Sequence, residues 1–351
     1  MKLKTPTLII LTLTLLIITG CIGQPNNNTF KNYNTGKQGV TIEFAKNMPP
    51  KEVYSGEEIL LGITIGNKGS TDLTNETMYG ILRISNGQDP FLTPKEEYQS
   101  NFKLKGKSEE YPLGEEVFIE PLRYKALQLN ELLQTHEGVK IEASVCYPYK
   151  TKLTQSVCID ADKEQADFDP ICRNQQKYTY SNGQGAPIAI KEIESQMIKL
   201  TKEEIEQGTY TIINNIIQGS DITTQGTTIT NREFGLKPRY TITIENTKIN
   251  GHPFLINDAE TQSKKISGDY CNMGQETNIN EVYITAKLGN YDLNCQNNII
   301  KIGQKNQIIC TLKEEDITKI NRNYLTLLNI EIQYNYQETT TTELDIKRIV
   351  E

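Results

Sequence analysis

The residues of this 351-residue chain that could do chemistry are seven cysteines, two histidines and a few close carboxylates. His136 and His252 leave histidine-based acid–base catalysis and multi-histidine metal centres almost no raw material. Glu115 and Glu116 could be pictured as glycosidase carboxylates, but that chemistry needs a fixed gap between two acids, and sequence alone sets none. The acidic run Asp160, Asp162, Glu164, Asp167 and Asp169 could gather calcium; it lacks the glycine and ordered spacing of a calcium loop and reads as a solvated linker. Gly183-Gln184-Gly185-Ala186-Pro187 carries a G-x-G that leads into a strand. No helix N-terminus stands there to hold a phosphate, and the motif reads as a turn. No catalytic, cofactor-binding or metal-binding residue is expected, and no enzymatic activity.

The first cysteine has a context of its own. Lys2 and Lys4 precede an apolar stretch from Leu8 to Ile18, the layout of a secretory signal. That stretch is shorter than the ~20 residues that cross a bilayer core. Ile17-Ile18-Thr19-Gly20-Cys21 follows it and resembles the lipobox of bacterial and archaeal lipoproteins. The resemblance implies cleavage of residues 1–20, a lipid on Cys21, and residence on the extracellular face of the cell membrane. Two lipid chains, at ~0.8 kcal/mol per buried methylene, hold a protein where one would not. Residues 21–38 are polar and aperiodic and read as a flexible tether. Asn27 and Asn75 each open an Asn-x-Thr sequon. The formal charge of −7 disfavours a nucleic-acid partner.

The elements that must position these residues are strands. Ile, Thr and Tyr favour sheets, while Asn, Gly and Ser punctuate turns. Two motifs occur twice in the same order, which argues for duplication. Ile63-Thr64-Ile65-Gly66-Asn67 returns as Ile242-Thr243-Ile244-Glu245-Asn246. Tyr147, Tyr149, Val157 and Ile159 return at identical spacing as Tyr334, Tyr336, Leu344 and Ile346. Each of the latter sets reads as a hairpin, two period-2 strands flanking a polar tip. The first copy, 39–160, carries strand-like passages at 40–44, 59–65, 78–84, 102–104, 116–119, 139–147 and 154–159. About seven short strands are expected of an immunoglobulin-like sandwich. Residues 124–134 read equally as strands or a short helix. A linker, 161–185, precedes the second and larger sandwich, 186–351, with strands at 188–193, 239–245, 281–288, 299–302, 307–312, 325–336 and 341–349. Thr201 and Glu204 form a capping box for a brief helix within the long insertion at 199–234, and 313–316 reads as one helical turn. The fold class is therefore all-β, two tandem immunoglobulin-like sandwiches behind a signal peptide and tether.

Setting Cys21 aside leaves Cys146, Cys158, Cys172, Cys271, Cys295 and Cys310, an even set that in an exported chain reads as three disulfides. In the hairpin register that faces Tyr147 with Val157, Cys146 falls opposite Cys158. The second copy has Gln333 and Asp345 there, so both cysteines are absent together. Cys295 and Cys310 flank the turn at Gly303, which leaves Cys172 for Cys271. The rival connectivity joins Cys158 to Cys172 and Cys146 to Cys271. A zinc site is disfavoured because no C-x-x-C spacing occurs.

Tyr124, Tyr147, Tyr149, Tyr334 and Tyr336 could line a sugar-binding groove, although strand tyrosines more often cover sheet faces. Further signposts are Gly39-Val40, Pro49-Pro50 before Tyr54-Ser55-Gly56, Asn67-Lys68-Gly69, Cys146-Tyr147-Pro148-Tyr149 with Thr151, Val157-Cys158-Ile159-Asp160, Gly183 to Pro187, and the closing hairpin over 330–346. Together they resemble archaeal cell-surface lipoproteins with tandem immunoglobulin-like domains akin to the CARDB fold. The Thr- and Asn-rich stretch at 223–231 departs from that pattern. The resemblance implies export and a β-sandwich fold, and brings no catalytic residues. The expected role is non-enzymatic: envelope structure, adhesion or protein contact, with the membrane and other envelope proteins or glycans as partners. The alternative is a lipoprotein that binds an extracellular carbohydrate or other small ligand.

Overall fold

The computed structural model describes residues 32–159, 172, 175–200, 236–257, 264–272, 278–304, 306–313, 316 and 324–349. The expected leader, Cys21, Asn27, the acidic run, and the insertion with Thr201 and Glu204 lie outside the described residues. Residues 33–351 form one compact unit.

The architecture is all-β. The first copy supplies β1 (Val40–Phe44), β2 (Glu52–Tyr54), β3 (Glu58–Asn67), β4 (Gly80–Ser85), β5 (Leu92–Thr93), β6 (Tyr98–Phe102), β7 (Glu116–Ala126) and β8 (Thr135–Ile159). After β9 (Lys177–Thr179) come β10 (Ile188–Lys199), β11 (Leu236–Asn246), β12 (Gly251–Asn257), β13 (Lys264–Lys265) and a single helical turn, α1 (Asp269–Asn272). The chain continues through β14 (Asn278–Ile279), β15 (Glu281–Leu288), β16 (Tyr291–Cys295), β17 (Ile299–Lys301), β18 (Gln307–Leu312) and β19 (Tyr324–Lys347). Residues 127–134, ambiguous in sequence, are neither strand nor helix.

A four-stranded sheet runs β1-β3-β7-β5, and a much larger one runs β6-β4-β8-β19-β15-β16-β18-β11-β10-β9. The strands follow from apolar alternation: Val282, Ile284, Ala286 and Leu288 of β15 are buried while residues between them reach solvent. The duplicated motifs hold matching places. Val40 opposite Asn67 opens the β1–β3 ladder, and Ile188 opposite Asn246 opens the β10–β11 ladder.

The expected hairpins are corrected. Residues 139–159 form one uninterrupted strand, β8, and residues 325–347 fall within one strand, β19. The stretch read as a polar tip keeps its alternation: Thr151 is buried between the outward Lys150 and Lys152. The two strands pair antiparallel with each other, from Ile159 opposite Tyr324 to Thr135 opposite Lys347, with one bulge near the end. The repeat aligns Pro148 with Asn335, and these residues face each other in the ladder. A local pseudo-two-fold axis therefore crosses the ribbon at Pro148 and Asn335.

The expectation of two sandwiches in tandem gives way to copies that are successive in sequence but fused in space. The longest strand of each completes the other's sheet, and buried apolar residues from β1 to β19 form one continuous core. β2 adds to the fusion, pairing parallel to the end of β19.

Candidate functional site

The centre of the molecule is the group of repeated tyrosines. Tyr147, Tyr149, Tyr334 and Tyr336 all point from the ribbon into the core and are fully buried. Their rings form a ring of contacts around the pseudo-axis: 5.5 Å for 147–149, 5.8 Å for 147–336, 6.1 Å for 334–336 and 6.4 Å for 149–334. Such tilted and edge-on pairs are the favoured aromatic geometries.

Their hydroxyls explain why two separate motifs were duplicated together. The Tyr149 hydroxyl donates to Asn67 Oδ1 at 3.1 Å, and that of Tyr336 to Asn246 Oδ1 at 2.9 Å. The Tyr147 hydroxyl accepts from the Val40 amide at 3.2 Å, and the Tyr334 hydroxyl from the Ile188 amide at 3.4 Å. Each first tyrosine thus holds the opening of its copy's first strand, and each second tyrosine holds the asparagine ending the Ile-Thr-Ile strand. Burial pushes the phenols of Tyr147 and Tyr334 well above their ordinary value, and those of Tyr149 and Tyr336 up as well. The burial of these four rings leaves them no groove to line, whereas Tyr124, largely buried, contributes to the lining of an open cleft with Gly56, Thr93, Pro94 and Arg123.

Beside the tyrosines the two-fold match breaks at Thr151. By the repeat's spacing Thr151 corresponds to Glu338. Thr151 Oγ1 donates to the Ile188 carbonyl at 2.6 Å and lies 3.0 Å from the Tyr334 hydroxyl. Glu338 instead pairs with Lys248 at 3.0 Å. Burial raises the Glu338 carboxyl above its ordinary value against the lowering effect of Lys248.

The disulfides differ from the expected set at two bonds. Cys146 bonds Cys271, Cys158 bonds Cys172, and Cys295 bonds Cys310. The Cys146–Cys158 and Cys172–Cys271 pairs are thereby corrected. Cys146 and Cys158 share one strand about a dozen positions apart, roughly 40 Å at ~3.3 Å per residue, so no bond can join them. The rival connectivity is the one observed. Cys146 faces away from the tyrosines, and with Tyr79, Ile81, Phe254 and Cys271 it forms a small second core on the outer sheet face. The segment carrying Cys271 is held there by Arg83, which donates to the Cys271 carbonyl, and by the Tyr79 hydroxyl on Asp269 Oδ1 at 2.7 Å. That bond pushes the Tyr79 phenol up to about 12. Ser267 N donates to Asn335 Oδ1 at 3.3 Å, closing the strap over the pseudo-axis.

The remaining polar candidates have structural employment. His136 Nε2 lies 2.9 Å from Asp89 Oδ2, with its ring against Phe91. Glu115 accepts from the Lys105 amide at 2.7 Å, and Glu116 pairs with Lys68 at 2.5 Å, so the two serve separate contacts. Gly183 and Gly185 adopt left-handed backbone at φ +67° and +68°; Gly185 abuts Ser70 of the first copy, while Gly183 abuts Gly36 and Lys37. The described end of the expected flexible tether is thus held against this turn, the Gly36 amide donating to the Asn182 carbonyl and the Gly36 carbonyl accepting from the Gly185 amide, each at 2.8 Å. Between them Gln184 is buried, its side chain accepting from the Ile190 amide at 2.8 Å and donating to the Ile190 carbonyl at 3.0 Å. The G-x-G motif is a turn that docks the second copy's start onto the first. Among the described residues, no three His, Cys, Asp or Glu side chains cluster as metal ligands.

What faces outward is surface. A shallow open cleft lies between Gly56, Thr93, Pro94 and Arg123. Among the described residues β5 covers only Lys125 and Ala126 on the outer edge of β7. The rest of that edge carries the exposed Val117 and Phe118 beside Glu116, Glu120 and Pro121. Charged residues and proline on an edge discourage indiscriminate strand pairing. The fusion of the copies was missed in sequence, whereas the favoured reading of the tyrosines, as cover for a sheet face, agrees with their burial; the spacing within the repeated Tyr-x-Tyr motif matches an antiparallel pairing of the copies as well as a tandem one. No family model matches the chain, and no curated protein matches it.

Proposed function

We propose that this is a non-enzymatic protein anchored by a lipid on Cys21 to the extracellular face of the cell membrane, where it acts in envelope structure, adhesion or contact with other envelope proteins or glycans. The observation that carries the reading is the pairing of six cysteines into three disulfides in one β unit, behind a lipobox-like sequence. Disulfides persist in oxidising compartments, and a lipobox addresses a chain to one. The inward chemistry supports the same reading: the tyrosine hydroxyls are bonded to strand openings and asparagines, so they are not available to a substrate or ligand. Outward, the bare edge of β7 offers a surface for selective contact.

Fractionation of cells producing the intact chain and a Cys21→Ser form tests the proposal, with mass measurement of the N-terminal peptide. The intact protein is expected in the membrane fraction with a lipid-modified Cys21, and the variant in the soluble extracellular fraction. An unmodified Cys21, or equal distribution of the two forms, would sink it.

A further inference from the structure

Asn75 lies in the exposed turn between β3 and β4, and its carboxamide is held in a defined pose. Its Oδ1 accepts three hydrogen bonds: from the Thr77 amide at 3.0 Å, the Thr77 hydroxyl at 3.1 Å and the Met78 amide at 2.7 Å. Its Nδ2 has no partner among the described residues and belongs to an exposed side chain. The turn is fastened at both ends. Leu73 is buried and exchanges backbone hydrogen bonds with Leu104 at 2.9 Å, and the Thr77 carbonyl accepts from the Gly268 amide at 2.8 Å. Asn75 is therefore presented by the folded, disulfide-strapped protein.

We propose that Asn75 is an N-glycan acceptor in the folded protein, taking a glycan from a polyprenyl phosphate or pyrophosphate donor through a transferase. An amide nitrogen is a poor nucleophile because its lone pair is delocalised into the carbonyl. Activation of the nitrogen therefore falls to the transferase, while the three donors on Oδ1, one of them the hydroxyl that the sequon requires, orient the group and leave the nitrogen outward. Nδ2 attacks the anomeric carbon of the glycan. The new N–C bond forms as the anomeric C–O bond breaks, the phosphate leaves with the electron pair, and one Nδ2 proton passes to a base of the transferase. Exposed placement satisfies the space demand of a bulky sugar, and the glycan would stand beside the strap that carries Cys271. The inference extends the extracellular reading but does not depend on the lipid.

The test uses the purified, oxidised full chain with an oligosaccharyltransferase and a lipid-linked oligosaccharide, read by intact mass and peptide mapping. The wild-type chain should gain one glycan at Asn75. Asn75→Gln and Thr77→Ala should lose that addition at least tenfold while keeping the wild-type near-ultraviolet circular dichroism, and Thr77→Ser should retain it. Lack of modification at Asn75 would overturn the proposal, most directly if Asn27 in the same sample is glycosylated. Glycosylation of Asn75 only after reduction and unfolding would overturn it as well. A Cys21→Ser chain should be modified equally, so failure of lipid anchoring and failure of this site are separately visible.

Discussion

The hydroxyl of Tyr336 donates to Asn246 Oδ1 over 2.9 Å, and the corresponding residues of the first copy, Tyr149 and Asn67, make the same bond over 3.1 Å. Two motifs that lie far apart in each copy are thus two ends of one buried contact. The duplicated contacts meet at a common centre because β8 and β19 pair across the pseudo-axis.

Removing either hydroxyl should therefore be felt. Tyr149→Phe and Tyr336→Phe each remove one of two donors to an asparagine oxygen, which keeps the Gly69 or the Lys248 amide, and each should lower unfolding stability by about 0.5–1.5 kcal/mol. Tyr54→Phe, at a ring 50% exposed, should change little. Urea unfolding followed by fluorescence measures all three.

Alkali should attack the same centre. Burial raises the folded-state pKa of Tyr147 and Tyr334 above the ordinary 10.0. The stability that their neutral forms contribute is complete below that value and is lost as pH rises toward the raised folded pKa. Absorbance titration at 295 nm should show exposed tyrosines ionising first and the buried ones only in a cooperative step with loss of strand signal. A single smooth titration near 10 with the fold intact would contradict the burial.

Glu338 gives a test of the same sign at lower pH. Its folded pKa is raised above 4.5 by burial, so its contribution is complete below the unfolded value and falls as pH rises through the raised one. Lys248 restrains that rise. Lys248→Met should push the carboxyl higher still and cost about 1–3 kcal/mol at neutral pH, with much less cost in acid. Glu338→Gln should flatten this pH dependence, measured as urea midpoints between pH 4 and 8.

The disulfides should rank by the chain length that they close. Cys146–Cys271 spans 125 positions, whereas Cys158–Cys172 and Cys295–Cys310 span 14 and 15. Constraint of the unfolded chain predicts a loss of about 5 kcal/mol for the first and about 3 kcal/mol for each of the others. Paired Cys→Ser variants compared by thermal unfolding would reveal the order.

Much of the strand pattern was legible because apolar alternation is local. β15 and β18 coincide with the passages read from sequence, and β1 does as well. The partner of each strand was less legible. Residues 147–157 place polar groups where a tip belongs, and nothing local distinguishes a polar tip from a strand whose outer face carries Lys150 and Lys152. Once two hairpins were assumed, Cys146 fell opposite Cys158. The short strands β2, β5 and β12 were missed because each depends on docking to a strand distant in sequence.

The most direct test of the fused architecture is peptide mapping of the native protein, isolated under thiol-blocking conditions and digested without reduction. Linked peptides joining Cys146 to Cys271 and Cys158 to Cys172 are expected, the first tying one copy to the other. A peptide linking Cys146 to Cys158 would restore the hairpin and separate the copies, and blocked free thiols at these positions would remove the support for an oxidising, extracellular setting.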